Sequence, residues 1–258
     1  MTLSVDLNSD MGESFGPWAK GDDNSLLKIV TSANIACGFH AGDADTMAET
    51  MSEAVANGVG IGAHPGFHDL LGFGRQKMHV PHATLANQMK YQLGAAQAMA
   101  RAAGGKVRHL KLHGALSNMA SVDESLARTC YEAALEIDPD IIIMGLAATA
   151  METVARELGC RWAGEIFADR AYNADGTLVD RRLPDAMIHD PVDAAARMID
   201  MVKAEAILTA DGTRLETRID TICVHGDSAE AVAIAKAVRD GLEGSGIEVK
   251  AFEGERLS

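Results

Sequence analysis

The sequence predicts an α/β fold, a (β/α) barrel of the TIM type, as a single domain over residues 1–258. Three observations lead there. Short apolar runs alternate with helical patterns from end to end, which argues for a parallel sheet crossed over by helices. Eight such runs occur, the number that closes this kind of barrel. A chain of 258 residues also matches one such barrel in size. An open doubly wound sheet is the competing architecture.

The elements follow in order. Run 4–7 leads into Asn8-Ser9-Asp10 and Glu13, and a short helix is expected over 24–30. Run 33–37 ends in Gly38-Phe39-His40. The helix after it, 43–56, is capped by Asp43 or Asp45 and carries Met47, Met51, Ala54 and Val55 as one apolar stripe. Run 59–61 ends in His64-Pro65-Gly66, and glycines and prolines through Pro81 exclude regular structure before a helix over 84–103. Run 109–112 holds Lys111 and ends in His113-Gly114, ahead of a helix over 124–136. Run 141–146 and helix 150–158 carry no chemical cluster. Run 162–167 holds Glu165 and opens a polar loop, starting with Asp169 and Arg170, long enough to be functional. Helix 191–205 follows. Run 219–224 ends in His225-Gly226-Asp227, then come helix 228–242 and the eighth run, 248–252. A parallel barrel gathers such strand ends on one face, where barrels of this type keep their active sites.

Composition narrows the class. Hydrophobic content of 47% and charged content of 23% suit a globular protein. A formal net charge of -14 repels phosphates, which argues against nucleic-acid and anionic-membrane partners. No apolar stretch approaches the roughly 20 residues of a membrane span, and the first residues lack a signal-peptide pattern. A cytoplasmic location is therefore expected. Cys37, Cys130, Cys160 and Cys223 are far apart with no CxxC pair, and read as reduced thiols.

Strand alternation sorts the polar residues. His109, Lys111 and His113 point to one face and Leu110 and Leu112 to the other; Asp6 pairs with Asn8 in this sense, and Glu165 with Phe167. Charge inside a barrel needs a partner, so Lys111 is expected to meet Asp6 or Glu165, with His109 structural near the bottom. Asp10, His40, His64 and His113 admit three readings. They form a divalent metal site; or, with Glu13, they act as acid, base and substrate anchors; or they cap helices and loops. His64 and His68 have helical spacing, but Pro65-Gly66 removes the helix, and His79, His82 and His189 read as ordinary loop histidines.

There is no P-loop, and the glycines of residues 58–62 follow a helix, so they do not form a dinucleotide loop. The turn His225-Gly226-Asp227 is the phosphate candidate, with Asp227 as helix cap the alternative. Gly72-Phe73-Gly74-Arg75 sets Arg75 on a flexible loop suited to gripping a carboxylate or phosphate. Asp169 and Arg170 serve as orienter and clamp, or as a surface ion pair. No G-x-S-x-G elbow occurs and no Ser, Cys or Thr nucleophile stands out, Cys37 near His40 being a minor alternative.

Motifs spread in order over the whole chain carry a family resemblance. They are Asp6-Leu7-Asn8 with Gly12-Glu13-Ser14, residues 32–43 (SANIACGFHAGD), Gly62-Ala63-His64-Pro65-Gly66 with Gly72-Phe73-Gly74-Arg75, His113-Gly114-Ala115-Leu116, Phe167-Ala168-Asp169-Arg170, and Val224-His225-Gly226-Asp227. Together they resemble the LamB/YcsF family. Leu112 and Ser117 depart from it, standing where the family has proline and tyrosine. The resemblance implies a distorted barrel related to glycoside hydrolases and polysaccharide deacetylases. It implies the role of the A component of 5-oxoprolinase, cleaving the 5-oxoproline lactam to L-glutamate with ATP and Mg2+ and two further subunits, B and C. On that basis residues 225–227 take the phosphate side and Asp10 or Asp227 the Mg2+. Glu165 or His64 would be the base, and Arg75 or Lys111 the carboxylate anchor. The alternatives are a stand-alone metal-dependent deacetylase or amidohydrolase, and a non-catalytic lactam-binding subunit. Self-association is left open.

Overall fold

Short apolar strands, each followed by a helix with one apolar face, roll the chain into a closed barrel. The computed structural model describes residues 3–226 and 230–256. The elements are β1 (Ser4–Met11), α1 (Asp23–Leu26), β2 (Ser32–Ala36), α2 (Ala44–Ala56), β3 (Gly60–His64), α3 (His82–Ala102), β4 (Val107–Lys111), α4 (Gly114–Ala120) and α5 (Glu124–Ile137). Then come β5 (Ile142–Leu146), α6 (Ala150–Leu158), β6 (Arg161–Phe167), α7 (Pro191–Ala204), β7 (Ala206–Leu208), β8 (Arg214–Glu216), β9 (Thr221–Cys223), α8 (Ala231–Gly244), β10 (Glu248–Val249) and β11 (Glu255–Arg256).

The barrel closes at seven parallel strands, not eight. Thr221 of β9 is in register with Glu165 of β6 on one side and Asp6 of β1 on the other, which completes the ring β1 to β6 plus β9. The expected eighth strand contributes only β10, paired to Ser4 and Val5 at the start of β1. The chain then carries Phe252 into a small apolar cluster with Ile142, Met144 and Ala163. Its ring meets His109 edge-on, at 5.3 Å between centroids. The last run is thus a plug for one end of the barrel. The β7–β8 hairpin and α4 lie in stretches where the sequence predicts no element.

Caps and faces follow local chemistry. Asp43, not Asp45, caps α2 by accepting from the Thr46 amide, and its other oxygen accepts from the Gly16 amide. Met47, Met51 and Ala54 are buried as expected, but Val55 is 37% exposed and Thr50 completes the buried face. Among the described residues no helix is long and apolar enough to cross a membrane.

The lumen is polar and layered. Asp6 accepts from the hydroxyls of Thr31, Ser32 and Thr221. One step up, Asn8 donates to Thr221 Oγ1 (2.7 Å) and Asn34 donates to Asn8 Oδ1 (2.7 Å). His109 Nε2 lies 2.8 Å from Asn34 Oδ1. The His109 ring fills space that any side chain on Gly62 would need, since a Cβ there would fall 2.0 Å from Nε2. Glycine on β3 is therefore a packing requirement.

Burial pushes the Asp6 carboxyl from 3.8 up to about 6, against the pull of its three hydroxyl donors. The folded state then holds this proton more tightly than the unfolded chain. The stability it contributes is complete below pH 3.8 and is lost as pH rises through about 6. At 1.36 kcal/mol per pKa unit the loss is roughly 3 kcal/mol. Asp6→Asn is expected to flatten the fall in thermal stability between pH 4 and 7; melting curves as steep in pH as the wild type would refute this.

Candidate active site

The site grows from the C-terminal ends of β1, β3, β4, β6 and β9. Lys111 ends β4 with its side chain inside the barrel, 3% exposed. Its ammonium lies 2.7 Å from Glu165 Oε1 and 2.9 Å from Asp10 Oδ1, and donates to Cys223 Sγ at 3.1 Å. The expected pairing with Glu165 is present. Asp6 is not a partner, because hydroxyls satisfy it lower down, and Asp10 takes its place. Burial alone would lower the Lys111 pKa, but Asp10, Cys223 and Glu165 hold it well above the ordinary lysine range. The two carboxyls on this one ammonium diverge. Burial raises Glu165, and Lys111 offsets this only in part. Burial also acts against the charge of Asp10, yet His64 and Lys111 hold that carboxyl well below its usual range. The two carboxyls thus differ in proton affinity, a difference of the kind that acid–base chemistry uses.

Above Lys111 lie three imidazoles and a carboxylate. His64, ending β3, has Nδ1 2.9 Å from the Lys111 carbonyl. His113, at the start of α4, has Nε2 2.9 Å from the Phe73 carbonyl. Carbonyls only accept, so each of these nitrogens carries a hydrogen. The remaining nitrogens, His64 Nε2 and His113 Nδ1, face each other at 2.9 Å. In neutral rings both bring lone pairs, and a hydrogen on one ring or a cation beside them completes the contact. Burial and the neighbouring His64 pull the His113 pKa down to about 3, which disfavours a second hydrogen on the His113 ring. His40 stacks on His113 with centroids 3.6 Å apart, and among the described residues neither of its buried nitrogens has a hydrogen-bond partner. Glu13 Oε1 lies 3.9 Å from both His40 Nε2 and His113 Nδ1. Ligand atoms of Glu13, His40, His64 and His113 all fall within 4.8 Å of one another. This donor set fits a divalent cation. The carboxylate that joins the three histidines is Glu13; Asp10 touches His64 at 3.3 Å and belongs to a second group, with Cys223 and His225.

The glycine motifs around this cluster are packing devices. A Cβ on Gly66 would lie 2.8 Å from His40 Nδ1, and one on Gly74 2.7 Å from both His113 Cδ2 and His40 Cβ. The turn bearing Arg75 is tied down rather than flexible: Gly74 donates to the Asp69 carbonyl, and the Gly74 carbonyl accepts from Ala115. The exposed Arg75 guanidinium sits 4.9 Å over the Phe73 ring. Cys37 is buried, its thiol donates to the Ile35 carbonyl, and burial pushes its pKa up to about 12, which disfavours the thiolate that a nucleophile needs.

At the ends of β6 and β9, Asp169 and Arg170 are buried, 7% and 4% exposed, and do not form a surface ion pair. Asp169 accepts instead from His225 Nδ1, with its oxygens 2.8 and 2.9 Å away, while Arg170 donates to the Val179 carbonyl. The His225 ring stacks on Phe167. Gly226 sits so close to the Asp10 carbonyl that a Cβ would fall 3.1 Å from it. Asp227 and the expected helix start at Ser228 lie outside the described residues. Three neighbours escaped the sequence reading. Asn34 was accessible from the alternation of β2, and Cys223 from that of β9; Arg181, in an irregular loop, carries no periodic signal.

A closed parallel barrel with ionisable residues massed at the C-terminal mouth is the architecture of a large class of enzymes. The catalytic domain of a peptidoglycan N-acetylglucosamine deacetylase from Eubacterium rectale shares this fold at a TM-score of 0.55 and 10% identity, over 100% of this chain and 94% of that one. That likeness is one of fold alone. The LamB/YcsF family model matches residues 5–256, and the chain belongs to that family. It is 68% identical over 249 residues to the 5-oxoprolinase A component of Ruegeria pomeroyi, covering 96% of this chain and 98% of the relative. The lactam utilization protein of Thermus thermophilus superposes with a TM-score of 0.91 at 41% identity, over 97% of this chain and 100% of that one.

Lys111→Met removes the cation and leaves two buried carboxylates facing each other. A loss of about 3–5 kcal/mol in urea unfolding is expected, and adding Glu165→Gln in the same chain should restore part of it. Unchanged stability in the single variant would contradict the pairing.

Proposed function

We propose that this chain is the A component of an ATP-dependent 5-oxoprolinase, opening the lactam of 5-oxo-L-proline to L-glutamate together with two further subunits, B and C. The relative from Ruegeria pomeroyi is named as that component of a 5-oxoprolinase. The observation that carries the reading is the enclosed Lys111 with its two unlike carboxyls, next to His64 and His113. Opening a lactam needs a base for the attacking water and an acid for the departing nitrogen. Glu165, with its raised proton affinity, moves the proton; Asp10 stays ionised and holds Lys111 and His64 in place. The Lys111 ammonium stabilises the oxygen anion that develops when the carbonyl is attacked.

An unstrained five-membered lactam opens with little driving force, and phosphorylation of its carbonyl oxygen would make it a better acceptor for water. We assign ATP and Mg2+ to the assembled enzyme, since this chain has no P-loop. Asn8 and Gly226 shape the floor beside Asp10. Glu13, His40, His64 and His113 would hold a divalent cation, which when bound acts as a Lewis acid and lowers the pKa of its water. That cluster favours a second reading, a metal-dependent amidohydrolase acting alone. We place the reaction in the cytoplasm, consistent with four free, buried cysteines.

Reconstitution with the partner subunits, ATP and 5-oxoproline tests the proposal by the glutamate formed. Glu165→Gln is expected to lower kcat by about 100-fold or more. Full activity in that variant would remove Glu165 from the chemistry. Amide cleavage by the chain alone, dependent on added metal and lost on chelation, would favour the second reading.

A further inference from the structure

Beside the Lys111 centre, a cavity of about 190 Å3 opens between the end of β9 and the loop after β6. Met187, Ile188 and Val224 make its apolar wall, and Asp169, Arg181 and His225 its polar one. Asp169 takes the hydrogen on His225 Nδ1, so the neutral ring turns a lone pair outward at Nε2. Arg181 Nη2 donates to that lone pair at 3.1 Å. This is a weak use of an arginine, whose planar fork matches a carboxylate with two parallel hydrogen bonds. Among the described residues Arg181 forms no ion pair with a carboxylate. Arg170 lies buried nearby, with Nε unpartnered, and adds a second positive charge to the same corner. Asp169, the carboxylate at hand, is committed to His225. The corner therefore carries cationic donors that suit a small anion with an apolar body.

We infer that Arg181 recognises the carboxylate of the substrate, leaving His225 Nε2 for that carboxylate when the lactam enters the cavity. The inference rests on the proposed function for the substrate's identity. The volume is below the ~300 Å3 where pockets for drug-sized ligands begin, and suits one five-membered ring with its carboxylate. The exchange also frees Nε2 toward the cavity. One nitrogen of the His225 ring lies within 4.8 Å of an Asp10 oxygen, so the freed imidazole borders the Lys111 centre. A ring without a carboxylate leaves Arg181 where it is.

Calorimetric titration of the chain with L-5-oxoproline and with 2-pyrrolidinone, the same lactam lacking the carboxylate, tests this. The wild type is expected to prefer 5-oxoproline by at least about tenfold, the worth of a charge-assisted bond. Arg181→Met should abolish the preference, and Arg181→Lys, keeping the charge without the fork, should retain part of it. Arg182→Met is the control, because exposed Arg182 pairs with Asp180. A wild type with no preference, or Arg181→Met retaining it, overturns the inference. So does weaker binding of inorganic phosphate in Arg181→Met with the lactam preference intact. If Arg181→Met fails to fold, an undiminished preference in Arg181→Lys overturns it. If the reconstituted enzyme makes no glutamate while Arg181→Met still abolishes the preference, the proposed function falls and the Arg181 assignment stands.

Discussion

The ammonium of Lys111, enclosed in the barrel between Asp10 and Glu165, is the constraint around which the molecule is organised. A buried charge costs several kcal/mol unless it is closely paired. Here Lys111 on β4 meets carboxyls from β1 and β6, and no two of these three strands are neighbours in the ring. Their relative heights are set by backbone register, so a slip of one residue would turn these side chains out of the lumen and strand the charge. Closure at seven strands serves the same end. Direct pairing of β9 with both β1 and β6 brings Cys223 against Lys111 and His225 to the rim.

Beneath that ion group the lumen is a stack of hydrogen bonds in which each layer satisfies the next. Asp6 and Thr221, then Asn8, Asn34 and His109, fill the space that aliphatic side chains occupy in many barrels of this type. Glycine makes the room. Gly62 admits His109 below, while Gly66 and Gly74 admit the His40–His113 stack above. Motifs that look like flexible phosphate or ligand loops are thus moulds for imidazole rings.

Two different chemistries flank Lys111. On one side His64 and His113 turn ring nitrogens toward each other beside Glu13 and His40, a donor set that fits a divalent cation. On the other, Arg181 lines a small cavity with His225 and Asp169.

Much of this was legible in the chain. Period-two alternation fixes which of His109, Leu110, Lys111 and Leu112 face inward, because successive side chains on a strand must point to opposite faces. The rhythm of strands and helices points to a parallel sheet with a barrel as the favoured form, and an aspartate at 43 or 45 ahead of an amphipathic run marks the start of α2, which the structure assigns to Asp43. Tertiary structure alone decided which polar groups meet. Ring closure at seven strands, Asp10 rather than Asp6 on Lys111, Glu13 joining the three histidines, and Arg181 on His225 all depend on the heights of strands and the paths of loops distant in sequence. Local pattern says which way a side chain points. Only the register of the closed ring says what it finds there.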